Sequence, residues 1–117
     1  IMAVPVQIRH VISNLVRNAL LHGRAGDRPL KITIRATTEG ETATVSIADD
    51  GRGIPEDQRA KIFEYFYRGD SLSSGSGIGL AYCAQVLHRM GHRLWVEGVS
   101  PNGAAFLFTA GIVREGL

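Results

Sequence analysis

Ile8-Arg-His-Val-Ile-Ser-Asn14-Leu-Val-Arg-Asn18-Ala-Leu-Leu-His22-Gly23 decides the fold, because it reads as one helix with an unusual polar stripe. Asn14, Asn18 and His22 are spaced i, i+4 and i+8, so at about 100° per residue they stay within about 80° of one another. An ordinary amphipathic helix puts Lys or Glu at that boundary. Asn is a mediocre helix former, so two in one helix point to work for their side-chain oxygens, such as ligating a hard cation like Mg²⁺. Ile8, Ile12, Leu15, Val16, Ala19 and Leu20 fall on one apolar side. Pro5 fits the first turn and Gly23 the stop.

Working outward, Lys31 to Thr38 alternates as a half-buried strand, Glu39-Gly40-Glu41 turns, and Ala43, Val45 and Ile47 mark the returning strand of a hairpin. Asp49-Asp-Gly-Arg-Gly53 closes it. A short helix is expected over 56–63 and a longer one over about 78–89. Strands over 92–97 and 104–109 are joined by Ser100-Pro-Asn-Gly103. This order implies an α/β (α+β) two-layer sandwich, with a largely antiparallel, mixed sheet and about three helices on one face.

Bulk properties narrow the classes. The 117 residues suit one domain, 1–117, with a real core. A net charge of +2 gives no case for a nucleic-acid partner. A single cysteine, Cys83, excludes an intrachain disulfide framework and a cysteine metal cage. No apolar run approaches the roughly 20 residues of a membrane span, and the start carries no basic signal-peptide region. Because it opens on Ile rather than Met, a fragment of a longer protein is expected. Cys83 and Trp95 are read as core or near-core packing.

Three further motifs carry chemistry. Asp49 to Ile54 places a carboxylate at a strand end, where it can accept from an amino group such as adenine N6, and Gly51 and Gly53 let a flat ring approach the backbone. Taken alone, the same residues fit a β-turn with solvated acids equally well. Gly75-Ser-Gly77-Ile-Gly79-Leu80 precedes a helix, so its N–H groups and the helix dipole could cradle phosphate; a flexible linker is the bland alternative. Ile62 to Arg68 is densely aromatic. Phe63 and Phe66 read as core anchors, and Arg68 as a guanidinium facing the glycine loop.

In this order the pieces resemble the ATP-binding catalytic domain of bacterial sensor histidine kinases, in the Bergerat-fold superfamily of gyrase, chaperone and mismatch-repair ATPases. The resemblance spans essentially the whole chain: Asn14 to Ala19 is similar to the N box, Asp49 to Gly53 to the first glycine box and Ile62 to Arg68 to the F box. Gly75 to Leu80 resembles the second glycine box and Gly103 to Phe106 a weak third. It implies ATP and Mg²⁺ as cofactors, with Asn18 the metal ligand and Asn14 beside the phosphates. Asp49 would hold adenine N6, with Gly51, Gly53 and Ile54 around the base. Gly75, Gly77, Gly79 and Leu80 would line the phosphates, Arg68 would reach the γ-phosphate, and His22 would lie near ribose or phosphate, unless it is only a cap.

The implied activity is donation of the γ-phosphate to a histidine on a separate dimerisation domain, N-terminal in the same homodimeric protein, for relay to a response regulator. The site would be cytoplasmic. None of His10, His22, His88 and His92 has an acceptor context, so the isolated domain should transfer nothing. Position 14 separates reaction types. Hydrolytic relatives and anti-sigma serine kinases carry Glu there as a base, and Asn cannot serve as one. The rival readings are that serine kinase and a degenerate scaffold. Leu21 in place of a basic residue, the short segment Gly69 to Ser74 and Asp50 in place of Asn together imply modest ATP affinity.

Overall fold

The structure is a computed structural model that describes residues 2–3, 5–23, 26–64 and 79–114. Helix α1 (Val6–His22) follows a two-residue strand β1 (Met2–Ala3). Pro5 stands one residue before the helix rather than in its first turn. Its fixed φ suits that position, and its carbonyl accepts from the N–H groups of Ile8 and Arg9 at 3.0 and 3.1 Å. Strands β2 (Ile32–Glu39) and β3 (Thr42–Asp49) form the expected hairpin, turned at Gly40 with φ 62°. The segment expected as a short helix is two 3-10 turns, Glu56–Gln58 and Lys61–Phe63. Helix α2 (Gly79–Arg89), β4 (Leu94–Gly98), β5 (Ala104–Gly111) and β6 (Val113–Arg114) complete the chain. Strand β6 pairs with β1, so the first and last described segments meet.

The main sheet has the order β2-β3-β5-β4 and is antiparallel at every described pairing. Its register sets Ile47 beside Phe106 and Val45 beside Phe108, and this face meets the helices. Ile8, Val11 and Leu15 of α1, Cys83 and Leu87 of α2, and Ile62 close the core over it. Phe63 meets Phe106 edge to face, with centroids 6.2 Å apart, which pins the second 3-10 turn to the sheet.

Three packing expectations shift. On α1, Val11 is fully buried and Leu20 is 59% exposed, because α2 lies along the Val11 flank, where the Cys83 thiol approaches the Val11 carbonyl. Strand β2 is a sheet edge, and the helices pack over β3, β4 and β5, which leaves Ile34 53% exposed. Cys83 is core, as expected. Trp95 instead alternates with core-facing Leu94 and Val96 onto the other face, where Arg93 stacks 4.3 Å from its ring and its Nε1–H donates to Glu97 at 2.9 Å.

Candidate functional site

The site grows from the polar stripe of α1, and its two ends are set by other elements. At the C-terminal end, Gly23 keeps right-handed φ, −80°, so it is not a left-handed cap. Glycine is needed there for room. A methyl on Gly23 would lie 2.7 Å from the Ala19 carbonyl and 3.3 Å from the Asp49 carboxylate. The loop after β3 crosses this point: Arg52 N–H donates to the Gly23 carbonyl at 2.8 Å, and a methyl on Gly51 would sit 1.6 Å from that oxygen. Gly103, at φ 126°, packs from the other side, where a methyl would meet the Asp49 carbonyl at 2.0 Å. Gly53, at φ 75°, faces Gly103 in turn. Close backbone packing is therefore a reason for glycine at positions 51 and 53, besides the ligand approach expected from the sequence.

This packing isolates one carboxylate. Asp49 is 5% exposed and is the buried charged side chain among the described residues. Its Oδ1 accepts from Gly51 N–H at 2.9 Å, and the backbone of Ala104 also bonds it. Burial raises its pKa above the ordinary Asp value; these backbone bonds oppose the rise, and neighbouring Asp50 adds to it. An ionised carboxylate has about four acceptor positions, so the two backbone donors leave capacity for a ligand's N–H.

At the other end, Asn14 Nδ2 donates to the His10 carbonyl at 2.8 Å, which fixes the amide so that Oδ1 faces away from its own turn. That oxygen is 3.4 Å from where a methyl on Gly79, the first residue of α2, would stand. The stripe thus runs from the N-terminus of α2 to Asp49, and helical rise makes Asn14 to Gly23 roughly 13 Å. Asn18 lies between, half-buried, and its amide has no hydrogen-bond partner among the described residues. His22 closes the helix. Leu80 and Ile54 are half-buried against the core. Arg68, Gly75 and Gly77 lie outside the described residues, as does Phe66. An open cleft of about 530 Å³ beside Gly53, Ile54 and Arg59 lies on the β4–β5 turn and includes none of Asn14, Asn18 and Asp49.

The Asp50 carboxylate, which stands in place of Asn, is paired rather than free. Its Oδ2 is 3.1 Å from Arg28 Nη1, its Oδ1 accepts from Lys31 N–H at 2.8 Å, and Arg28 Nη2 donates to its carbonyl. The Lys31 N–H and then Arg28 hold its carboxyl below the ordinary value. Sequence reading missed Arg28, Lys31 and the spatial role of Gly23. No local signal marks a contact spanning 22 residues, as that of Arg28 with Asp50 does.

A buried acceptor, two amides and the start of α2 thus line up along α1, on a two-layer sandwich of the ATPase class. The chain belongs to the family described as histidine kinase-, DNA gyrase B-, and HSP90-like ATPase, whose pattern matches residues 3–112. It is 35% identical over 101 residues to the alginate biosynthesis sensor protein KinB of Pseudomonas aeruginosa, covering 86% of this chain and 16% of KinB. It is also 35% identical over 109 residues to the adaptive-response sensory kinase SasA of Rippkaea orientalis, covering 92% of this chain and 27% of SasA. The chain therefore spans well under a third of these relatives. Among solved structures it resembles the mycobacterial sensor histidine kinase MprB, with TM-score 0.77, 27% identity, and 93% and 72% of the two chains covered. It also resembles the catalytic domain of histidine kinase ThkA, with TM-score 0.75, 30% identity and coverages of 90% and 66%. The fold is the Bergerat fold, and the domain is of the ATP-binding catalytic type found in sensor histidine kinases.

Proposed function

We propose that this domain binds Mg-ATP along α1 and donates the γ-phosphate to a histidine on a separate dimerisation domain of its own homodimeric protein, for relay to a response regulator. The observation that carries the reading is the stripe itself: Asp49 stands by the C-terminal end of α1, and about two turns back Asn14 meets the first residue of α2. Asp49 accepts the adenine amino group. The phosphates run towards Asn14 and the N–H groups opening α2, where the helix dipole favours negative charge. The family resemblance assigns Arg68, Gly75 and Gly77, which lie outside the described residues, to the phosphates as well.

The donor set fits Mg²⁺, a hard ion that takes one or two protein oxygens together with phosphate oxygens and water. Asn18 would hold it, since its amide is not engaged elsewhere among the described residues. When bound, the ion supplies neutralisation of phosphate charge. The chain's own residues orient the nucleotide, and phosphoryl transfer depends mostly on such positioning. With Asn14 in place of a carboxylate, position 14 offers water no base, and the γ-phosphate is kept for a neutral imidazole. Among the described residues no helix is long and apolar enough to cross a membrane; the domain acts on the cytoplasmic side.

The test combines the protein, its cognate dimerisation domain and γ-labelled ATP. Label that survives base and is lost in acid is expected on the partner domain. Absence of label, with ATP still bound, would contradict transfer.

A further inference from the structure

The function described above uses Asp49 and leaves Asp50 without a task, yet Asp50 is among the most heavily tied residues of the site. Its N–H donates to the Lys31 carbonyl at 3.2 Å and its Oδ1 accepts from Lys31 N–H at 2.8 Å, which extends the β2–β3 ladder by one side-chain rung. Arg28 then grips it twice, at the carboxylate and at the main-chain carbonyl. Directly after Asp50, the Gly51 N–H donates to Asp49 Oδ1 and the Arg52 N–H donates to the Gly23 carbonyl. The loop that leaves Asp49 is therefore anchored at two successive points, Asp50 and Gly51-Arg52. One anchor is backbone packing; the other is an ion pair whose partners are 48% and 43% exposed.

We propose that Arg28 and Asp50 are positioning residues for nucleotide binding: their pair locks the segment between α1 and β2 onto the loop that presents Asp49. This rests on the reading of Asp49 as the base acceptor. Without the pair, the loop still forms but must be ordered when the nucleotide arrives, and that ordering weakens binding. An exposed pair of this kind, gripping at two points, accounts for about a fivefold change in dissociation constant. Salt screens it.

The experiment measures dissociation constants of Mg-ATP and of adenosine for wild type, Arg28→Ala, Asp50→Asn, the double variant and Asp49→Asn, at low and high salt. Asp50→Asn keeps an acceptor for Lys31 N–H and removes only the charge. Each clamp variant is expected to weaken ATP and adenosine by the same factor, about fivefold. The double variant should be no worse than either single one, and wild type in high salt should fall towards Asp50→Asn. Arg28→Ala weakening ATP but not adenosine would mean that Arg28 contacts phosphate directly, and would overturn the proposal. So would additive losses, or unchanged binding in the clamp variants while Asp49→Asn loses it. Unchanged binding in Asp49→Asn itself would instead remove the base-acceptor reading on which the proposal stands. Unfolding midpoints of all variants separate lost binding from lost fold.

Discussion

Asp49→Asn tests the base-reading end of the site with little change of shape. Asparagine keeps one oxygen, which can still accept from Gly51 N–H, now at 2.9 Å to Asp49 Oδ1. It replaces the other acceptor with an NH₂ group. The adenine amino group then meets a donor where it had a charged acceptor. Loss of one charge-assisted hydrogen bond is about 1.5–3 kcal/mol, or roughly a ten- to hundredfold rise in the Mg-ATP dissociation constant. Preference for ATP over GTP should shrink, because the new amide can donate to a base carrying oxygen at that position. Folding should be hardly affected. The substitution weakens the backbone bonding of this side chain but also removes a carboxylate whose ionisation burial opposes, so neutral-pH stability should stay within about 1 kcal/mol.

The pH dependence has a definite sign. A carboxyl whose folded pKa is raised contributes stability below the ordinary value of 3.8 and loses it as pH rises through the folded value. Asp49→Asn should therefore gain stability relative to wild type across that interval. Calorimetric titration and urea unfolding measure both effects. An ATP affinity within twofold of wild type, in a folded variant, would refute the reasoning.

Other consequences can be checked alongside. Gly51→Ala drives a methyl to 1.6 Å from a backbone oxygen that cannot rotate away, so it should cost about 2–4 kcal/mol in urea unfolding. Gly40→Ala, with open space but φ 62°, should cost only about 1 kcal/mol; equal costs would contradict the packing account. Asn14→Glu places a carboxylate beside the opening residue of α2 and should permit slow ATP hydrolysis, read as phosphate release above wild type. Cys83 is fully buried and its thiol is pushed up to about 12 by that burial, so a disulfide reagent at pH 8 should label it only at the rate of unfolding. Immediate stoichiometric labelling would place that helix face in solvent.

Helix α1 and the hairpin were legible because their periods repeat over many residues. What periodicity could not resolve was which flank of α1 is covered, since a wide apolar stripe admits both Val11 and Leu20 and only the position of α2 selects one. Nor does alternation in β2 reveal an edge strand: Ile34 has a core-facing register opposite Ile47, yet no helix layer shields it. In the site, residues with distinctive chemistry at fixed spacing stood out, as with Asn14, Asn18 and Asp49. The glycines stood out as positions without side chains, and only the fold shows which backbone atoms pack into that space. Arg28 looked like one more loop cation, and only the folded loop brings it to Asp50.

The orientation of the nucleotide along α1 is the central claim, and a backbone NMR titration of the 117-residue protein tests it most directly. Adenosine is expected to shift amides around Gly23, Asp49, Gly51 and Ala104. Mg-ATP should add shifts at Asn14, Asn18, Gly79 and Leu80, while β2 residues beyond Arg35 and the Arg93–Glu97 face stay unchanged. Adenosine shifts centred on Asn14 and Gly79, or ATP shifts confined to the outer sheet face, would contradict the account.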